Sequence, residues 1–597
     1  MKILRHRVFA GAAIVTAAAA WLAACSDVRK EFDSRPDELI PDAALPEAPE
    51  CGRQCSLDGR SVIESCGGTV VEVCAADRAC GAGRCQDPCA AAAADRSSNG
   101  CDFYFQMPRM DPKIPHSCEA AFIVNSSMQP AELVLEREGK AIDISKSMLR
   151  TSAGGGELVA HEGPIAPGES VILFLSDSPP EANPSPARIA CPRGVVPATF
   201  ESKQPRRTGI GSSFRLTTNM PVALTTMYPF GGALSFMPTA TLVLPVTTWA
   251  TEHMIVNGWA ASREGGPSIQ VVAAEDGTEV TIVPKKDIVG GPDVPGALAH
   301  GRVTYRLDKG RNLQIVQAEE LTGSIVTSNK PITIFGGNAC GQIPVGVPAC
   351  DILFQQIPAF EHWGSEYVGV GYRPRTHNEH EPVPYRIVAA RDGTRLDYDP
   401  EIPPGAPTNM NAGEVALFRR GTGDAFVVRT QDVDHPIYVS AHMTGANNIG
   451  MSGAPDYDGM GDPEFVNVVP TRQYTNSYGF FADPTYAETS LVVVRKKHEG
   501  VFEDVRLECA GNLTKWKPVG TRGEYEFTRV DLSRSGGPGD TFGDGGSQTV
   551  CRTGVQHMRS TGPFTATLWG WDQFASYAYT SGTAQRKLVE TSISPVN

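Results

Sequence analysis

The sequence is short of charge. Only 20% of its 597 residues are Asp, Glu, Lys or Arg, and acids outnumber bases 67 to 53. A formal charge of −14 removes the usual electrostatic basis for binding nucleic acid, whose phosphates it would repel. Past residue 22 there is no apolar run of the ~20 residues that a membrane-spanning helix needs. No apolar stripe at helical spacing exceeds two turns there either, which excludes a helical bundle or coiled coil. Familiar catalytic motifs are missing: no G-x-S-x-G elbow, no H-E-x-x-H and no Walker loop occurs. The Gly-rich run at 533–547 lacks a Lys at the required place and reads as an exposed loop. Disorder is excluded in turn by a hydrophobic fraction of 41%. Turn chemistry is abundant, with 61 Gly and 46 Pro, above the usual shares of about 7% and 5%. A large all-β protein in several modules remains.

The one long apolar run, Val8–Leu22, follows the basic residues Lys2, Arg5 and Arg7 and ends in Leu22-Ala23-Ala24-Cys25. A basic start, a short apolar stretch and small residues at the break define an export signal over 1–24. A Cys directly after Leu-Ala-Ala resembles the lipobox of bacterial lipoproteins, which makes Cys25 the expected lipid attachment and mature N-terminus. Removing the signal takes its three basic residues and moves the charge from −14 to −17. Ser26, where Asp would favour inner-membrane retention, points to an outer-membrane lipoprotein of the cell envelope, displayed at the surface. Residues 25–50 are acidic and Pro-bearing without apolar periodicity, the composition of a solvated tether.

Of 15 Cys, 14 remain after Cys25. Seven crowd into a segment of about forty residues, 51–91: Cys51, Cys55, Cys66, Cys74, Cys80, Cys85 and Cys89. So short a segment cannot bury enough core to fold alone, and disulfides are the usual remedy outside the cytosol. Without a single C-x-x-C pair, thiolate zinc ligation is the weaker alternative. Seven is odd, so one must pair outward, with Cys101 or Cys118 as candidates. Cys340 with Cys350 and Cys509 with Cys551 are expected local bridges.

The body repeats. Leu244-Pro245…Trp249, Ile357-Pro358…Trp363 and Val469-Pro470…Tyr474 share an apolar residue, a Pro and an aromatic four or five positions on, with prolines 113 and 112 residues apart. Asp276-Gly277 and Asp392-Gly393 follow the first two, each between alternating strands, and read as tight hairpin turns. Glu499-Gly500 is a looser counterpart. A third element, apolar-x-Ser/Thr-x-x-Pro, appears at Leu216–Pro221, Val326–Pro331 and Met558–Pro563, and more loosely from Val428 to Pro436. Its Pro is expected to begin a strand, where no ladder donor is needed. The spacing gives four β units, 92–234, 235–347, 348–460 and 461–597. Each of ~110 residues holds six or seven short strands, the size of a two-sheet sandwich, with a β-propeller as the alternative.

Candidate chemistry is sparse. His377, His380 and Glu381 lie close together in a Pro-flanked loop, a spacing available to a metal but also to a polar surface loop. Asp456, Asp458 and Asp462 cluster around glycines as hard calcium ligands do, yet match no EF-hand. The simple reading is an acidic turn, with no resident metal and no cofactor. Trp249, Trp363 and Tyr474, being equivalent, are expected to pack each unit on its neighbour rather than form a ligand pocket.

The stretch TSNKPITIFGGNACGQIPVGVPACDILFQQIPAFEHWGSEYVGV (327–370) resembles the IgGFc-binding protein N-terminal domain family, and the likeness extends more loosely from Cys101 to Tyr579. GCDFYF (100–105), AAFIVNSS (120–127), DPEFVNVVPTRQY (462–474) and LVVVRKK (491–497) also resemble predicted bacterial surface lipoproteins carrying this domain. The resemblance implies binding of a protein ligand. Together these features lead us to expect a lipid-anchored, non-catalytic surface binding or adhesion protein with a glycan or protein ligand. The alternatives are a structural envelope component and an exported glycan hydrolase built from acids of different units.

Overall fold

The computed structural model describes residues 52–593, apart from 57–58, 111–115, 153–156, 182–187, 235–236, 348, 377, 447–456 and 544–547. Cys25, Cys51, His377 and Asp456 therefore lie outside the described residues, as does the acidic tether. The rest is nearly all β, as composition and turn content require. Among the described residues no helix is long and apolar enough to cross a membrane.

The Cys-rich segment has little to bury and is stapled instead. Here β1 (Arg53–Cys55), β2 (Ser61–Glu64) and β3 (Val70–Val73) form one sheet, and β4 (Ala79–Gly81) pairs with β5 (Arg84–Gln86). Helix α1 (Pro88–Asp95) starts where Asp87 caps the amides of Cys89 and Ala90 and stops at Arg96 in the left-handed region. Disulfides Cys55–Cys80 and Cys74–Cys85 hold the segment, Cys66 is also bridged, and Cys89–Cys101 is the outward link to the body.

Four units follow. The first contains β6 (Gly100–Phe105), β7 (Glu119–Asn125), β8 (Leu133–Arg137), β9 (Lys140–Ile142), β10 (Met148–Thr151), β11 (Leu158–Ala160) and β12 (Ser170–Ser176). After β13 (Gly209–Ser212), which joins the second unit, β14 (Phe214–Tyr228) and β15 (Thr239–Val243) complete it. The second comprises β16 (Ala250–Met254), β17 (Pro267–Ala273), β18 (Thr278–Val283), β19 (Val303–Leu307), β20 (Arg311–Val316), β21 (Ile325–Gly341) and β22 (Asp351–Ile357). In the third are β23 (Glu366–Gly369), β24 (Pro382–Ala389), β25 (Thr394–Asp399), β26 (Asn409–Met410), β27 (Val415–Gly421), β28 (Phe426–Thr430), β29 (Ile437–Met443) and β30 (Glu464–Asn467). The fourth begins with β31 (Thr475–Ala482), β32 (Glu488–Lys496), β33 (Val505–Leu507), β34 (Gly511–Asn512), β35 (Lys517–Val519) and β36 (Tyr525–Arg534). It ends with β37 (Gly537–Pro538), β38 (Thr541–Phe542), β39 (Thr549–Val550), β40 (Gly554–Asp572) and β41 (Ala575–Thr580).

In the third unit the two sheets of a sandwich are separate, β27-β24-β29-β30 over β23-β28-β25-β26. In the others one long strand runs through both. The front half of β21 pairs with β16 and β18, its back half with β17 and β22, and β14 and β40 behave alike. The Ser/Thr-x-x-Pro element marks this crossing rather than the start of a strand. The hydroxyls of Thr218, Ser328 and Thr430 donate to the carbonyl two residues on, at 2.6, 2.6 and 2.8 Å. Pro then suits the bend, since a residue leaving one ladder for another has no use for its N–H. In the third unit extra residues before Pro436 break the crossing strand into β28 and β29.

The Asp-Gly turns also differ from expectation. Gly277 and Gly393 have φ of +63° and +67°, but the strands they join do not pair. β17 and β24 lie in one sheet while β18 and β25 lie in the facing one. The turn is an arch between sheets, its Asp accepting from the amide of Lys309 or Ala412 at 3.0 and 2.9 Å.

Every residue of β7 and β17 is buried, which explains their near-continuous apolar runs. One face fills its own sandwich and the other meets a neighbouring unit, the fourth for β7 and the first for β17. The four final strands close the circle: β15 lies against β22, β22 against β30, β30 against β41, and β41 against β15. On the far side of the first unit, Phe122 of β7 meets Phe481 of β31, ring centres 4.6 Å apart. The array of sandwiches is thus a closed ring.

Candidate functional site

The residues singled out by sequence separate on folding. Glu381 is sealed in the third unit with Arg375, both side chains 0% exposed. Arg375 Nε donates to Glu381 Oε1 at 2.7 Å, its amide to Oε2 at 2.7 Å, and the Tyr372 hydroxyl to Oε1 at 2.8 Å. The remaining guanidinium donors reach Thr444 and the Met460 carbonyl. Every polar atom of this pair has a use, as a buried ion pair requires. His380, by contrast, is 82% exposed beside Asp424, so Glu381 and His380 share no centre. Asp458 is exposed and Asp462 is buried, so these two do not converge as calcium ligands. Among the described residues no three carboxylates, imidazoles or thiolates gather in metal-binding geometry.

The aromatic positions sit between units. Single 3-10 turns, Val246–Thr248, Phe360–His362 and Thr471–Gln473, end at Trp249, Trp363 and Tyr474. Trp249 Nε1 donates to the Leu244 carbonyl at 3.2 Å and Trp363 Nε1 to that of Pro358 at 3.1 Å. Trp249 packs on Tyr104 of the first unit, Trp363 on Tyr438 of the third, and Tyr474 in a cluster with Val427 and Val494. These side chains mortar the ring and are closed to a ligand.

At the ring's centre, sequence reasoning missed a meeting of acids. Asp351 opens β22, Glu464 opens β30, and Asp462 lies just before it; none is more than 2% exposed. The Ser576 amide donates to Asp351 Oδ2 at 3.1 Å, and the Asp462 amide to the Ser576 hydroxyl at 2.7 Å. Burial, then the neighbouring Asp462 and Glu464, pushes the Asp351 carboxyl well above its ordinary value. Burial does the same to Asp462, against the pull of Arg375, and to Glu464. Burial thus favours the protonated form of all three. They have no solvent path to act on a substrate, and they join three units at one point. The only sequence signal was an acid opening two equivalent apolar runs, Asp351-Ile352-Leu353 and Glu464-Phe465-Val466.

A cleft of about 720 Å³ opens on the outside of the first unit, within the size range of ligand sites. Its floor is apolar, from Val134, Leu135, Ile142 and Met148, and its charged lining is Glu132, Asp143 and Glu162 with no Lys or Arg. The Ser145 amide donates to Asp143 at 2.9 Å and holds that carboxyl below the usual range. An aliphatic or aromatic group flanked by positive charge fits this chemistry.

Comparison with known proteins gives a consistent likeness. The family described as IgGFc binding protein matches residues 239–570, from the first residue of β15 to within β40 and so over more than half of the chain. The human protein named "IgGFc-binding protein" is 24% identical over 293 residues, covering 49% of this chain and 5% of that protein. The chain thus spans a small part of the length of that relative.

Proposed function

This chain belongs to the IgGFc binding protein family, and on that ground we propose that it is a non-catalytic binding protein with a protein ligand, carried by a lipid at the cell surface. The observation that carries the reading is the extent of the match. It runs from β15 through the second and third sandwiches into β40 of the fourth and includes three of the four strands that close the ring, so what is shared with the relatives is a presenting scaffold. Outward surface is what such a scaffold offers, and the apolar, acid-rimmed cleft of the first unit is suited to a protein side chain. The burial of Asp351, Asp462 and Glu464 between units supports a structural use of these acids rather than hydrolysis. The Leu-Ala-Ala-Cys25 sequence and the acidic tether support display from a membrane by acylation.

The test is an array of proteins, with immunoglobulin Fc among them, and of glycans, probed with the soluble chain Ser26–Asn597. Saturable binding to a protein is expected. Turnover in a panel of glycan substrates, with no saturable binding to any protein, would overturn the reading.

A further inference from the structure

Comparing the four units strand by strand exposes a vacancy. In each, a fully flanked central strand (β7, β17, β24 or β32) pairs on one side with an outer strand (β12, β20, β27 or β36). In three units that outer strand is itself covered by a further antiparallel strand: β10 on β12, β13 on β20, and β35 on β36. The second unit even borrows its cover, β13, from the chain of the first. In the third unit, β27 pairs with β24 alone among the described residues. Among the described residues its outward backbone groups, those of Val415, Leu417 and Arg419, are unpaired, whereas the Gly421 carbonyl accepts from the Asp424 amide at 2.9 Å.

Open edges are normally covered, shortened or charged because they template pairing. This one is none of the first two and carries apolar side chains. Val415 is 38% and Leu417 45% exposed. With Arg419 they lie on one face, alternating with Ala416, Phe418 and Arg420. Arg420 is paired with Glu401, whereas Arg419 has no ion pair among the described residues.

We propose that the free edge of β27 is a strand-acceptor site, which takes an extended segment of a partner protein by antiparallel β-addition. Backbone hydrogen bonds would supply affinity and the outward side chains selectivity. An antiparallel segment meets Arg419 first, then Leu417, then Val415. The fitting sequence therefore runs acidic–x–aliphatic–x–aliphatic, with opposite charge and apolar pairs directly across the ladder. The cover strands of the sister units show the geometry that the occupant adopts. This inference rests on the reading of the chain as a protein-binding protein and names one contact that such a ligand makes.

The probe is the synthetic peptide Ser-Glu-Thr-Val-Thr-Val-Thr-Ser, up to millimolar concentration, on the chain Ser26–Asn597. Amide exchange at Val415, Leu417 and Arg419 should slow with the peptide and not with a version N-methylated at both Val, whose N–H groups face β27. Affinity by fluorescence anisotropy should fall about tenfold for Arg419→Glu, and a peptide with Lys for Glu should restore it. Unchanged exchange at these amides, or equal affinity of both peptides for both proteins, overturns the site. A dimer in light scattering that Leu417→Glu dissolves also overturns it, because the occupant is then a second copy. A protein ligand from the array that binds Arg419→Glu and Leu417→Glu unchanged overturns this edge alone and leaves the wider reading intact.

Discussion

The backbone amide of Ser576 donates to Asp351 Oδ2 at 3.1 Å, joining positions 225 residues apart in the chain. That bond ties the last strand of the second unit to the last strand of the fourth across the ring's axis. Gln355 continues the tie, donating through Nε2 to the carbonyls of Ala240 and Ala578 at 2.8 and 3.1 Å. Among the described residues the axis is held by side chains reaching backbone groups and by an isolated bridge of Met460 with Gln573, and no sheet ladder runs between units there.

Neutral buried acids make stability depend on pH in a stated direction. Burial raises Glu119 from 4.5 to about 7 and Asp483 from 3.8 to about 6. Below about pH 4 folded and unfolded chains both hold these protons. Between pH 4 and 7 the unfolded chain releases them while the folded one keeps them, so stability falls as pH rises and levels off above 7. The denaturation midpoint should drop across that window. Glu119→Gln should match the parent at pH 4 and exceed it at pH 8, by on the order of 3 kcal/mol.

Trp363 is 1% exposed and lies between the second and third units. Trp363→Ala should lower unfolding free energy by about 3–5 kcal/mol. Urea denaturation followed by circular dichroism reads the change, and a cost near zero would contradict a packing role.

The Arg375–Glu381 pair predicts non-additivity. Either Arg375→Met or Glu381→Gln alone leaves a buried partner uncompensated and should cost about 3–5 kcal/mol. The double replacement should cost clearly less than the two singles combined. A double-mutant cycle in urea measures the difference.

The proposed acylation of Cys25 predicts that the membrane attachment depends on this residue. Cys25→Ala should move the protein from the membrane pellet to the soluble fraction on cell fractionation. Continued retention in the pellet would contradict the lipid assignment.

Local chemistry was legible in the sequence because it recurs. Ser/Thr-x-x-Pro, strict or loosened, fell at one place in each unit, Asp-Gly at one place in the second and third, and the Pro-to-aromatic step marked each junction between consecutive units. What those elements join was not legible. Asp276-Gly277 has the positive φ of a hairpin, but φ at one residue does not say which strands become partners. Here β17 and β18 face each other across a core. The β run at 268–273 likewise shows one inward face, Ile269, Val271 and Ala273. Only the ring tells that Gln270 and Val272 are buried too. The axial acids escaped notice for the same reason, since Asp351 and Glu464, more than a hundred residues apart, meet only when their units pack on each other.

Closure of the four sandwiches is the claim from which outward-only binding follows, and small-angle X-ray scattering of the chain Ser26–Asn597 tests it most directly. A closed body of this length should give a radius of gyration of about 25 Å. Four sandwiches strung end to end would give a clearly larger radius than a compact body, and that result would contradict the ring.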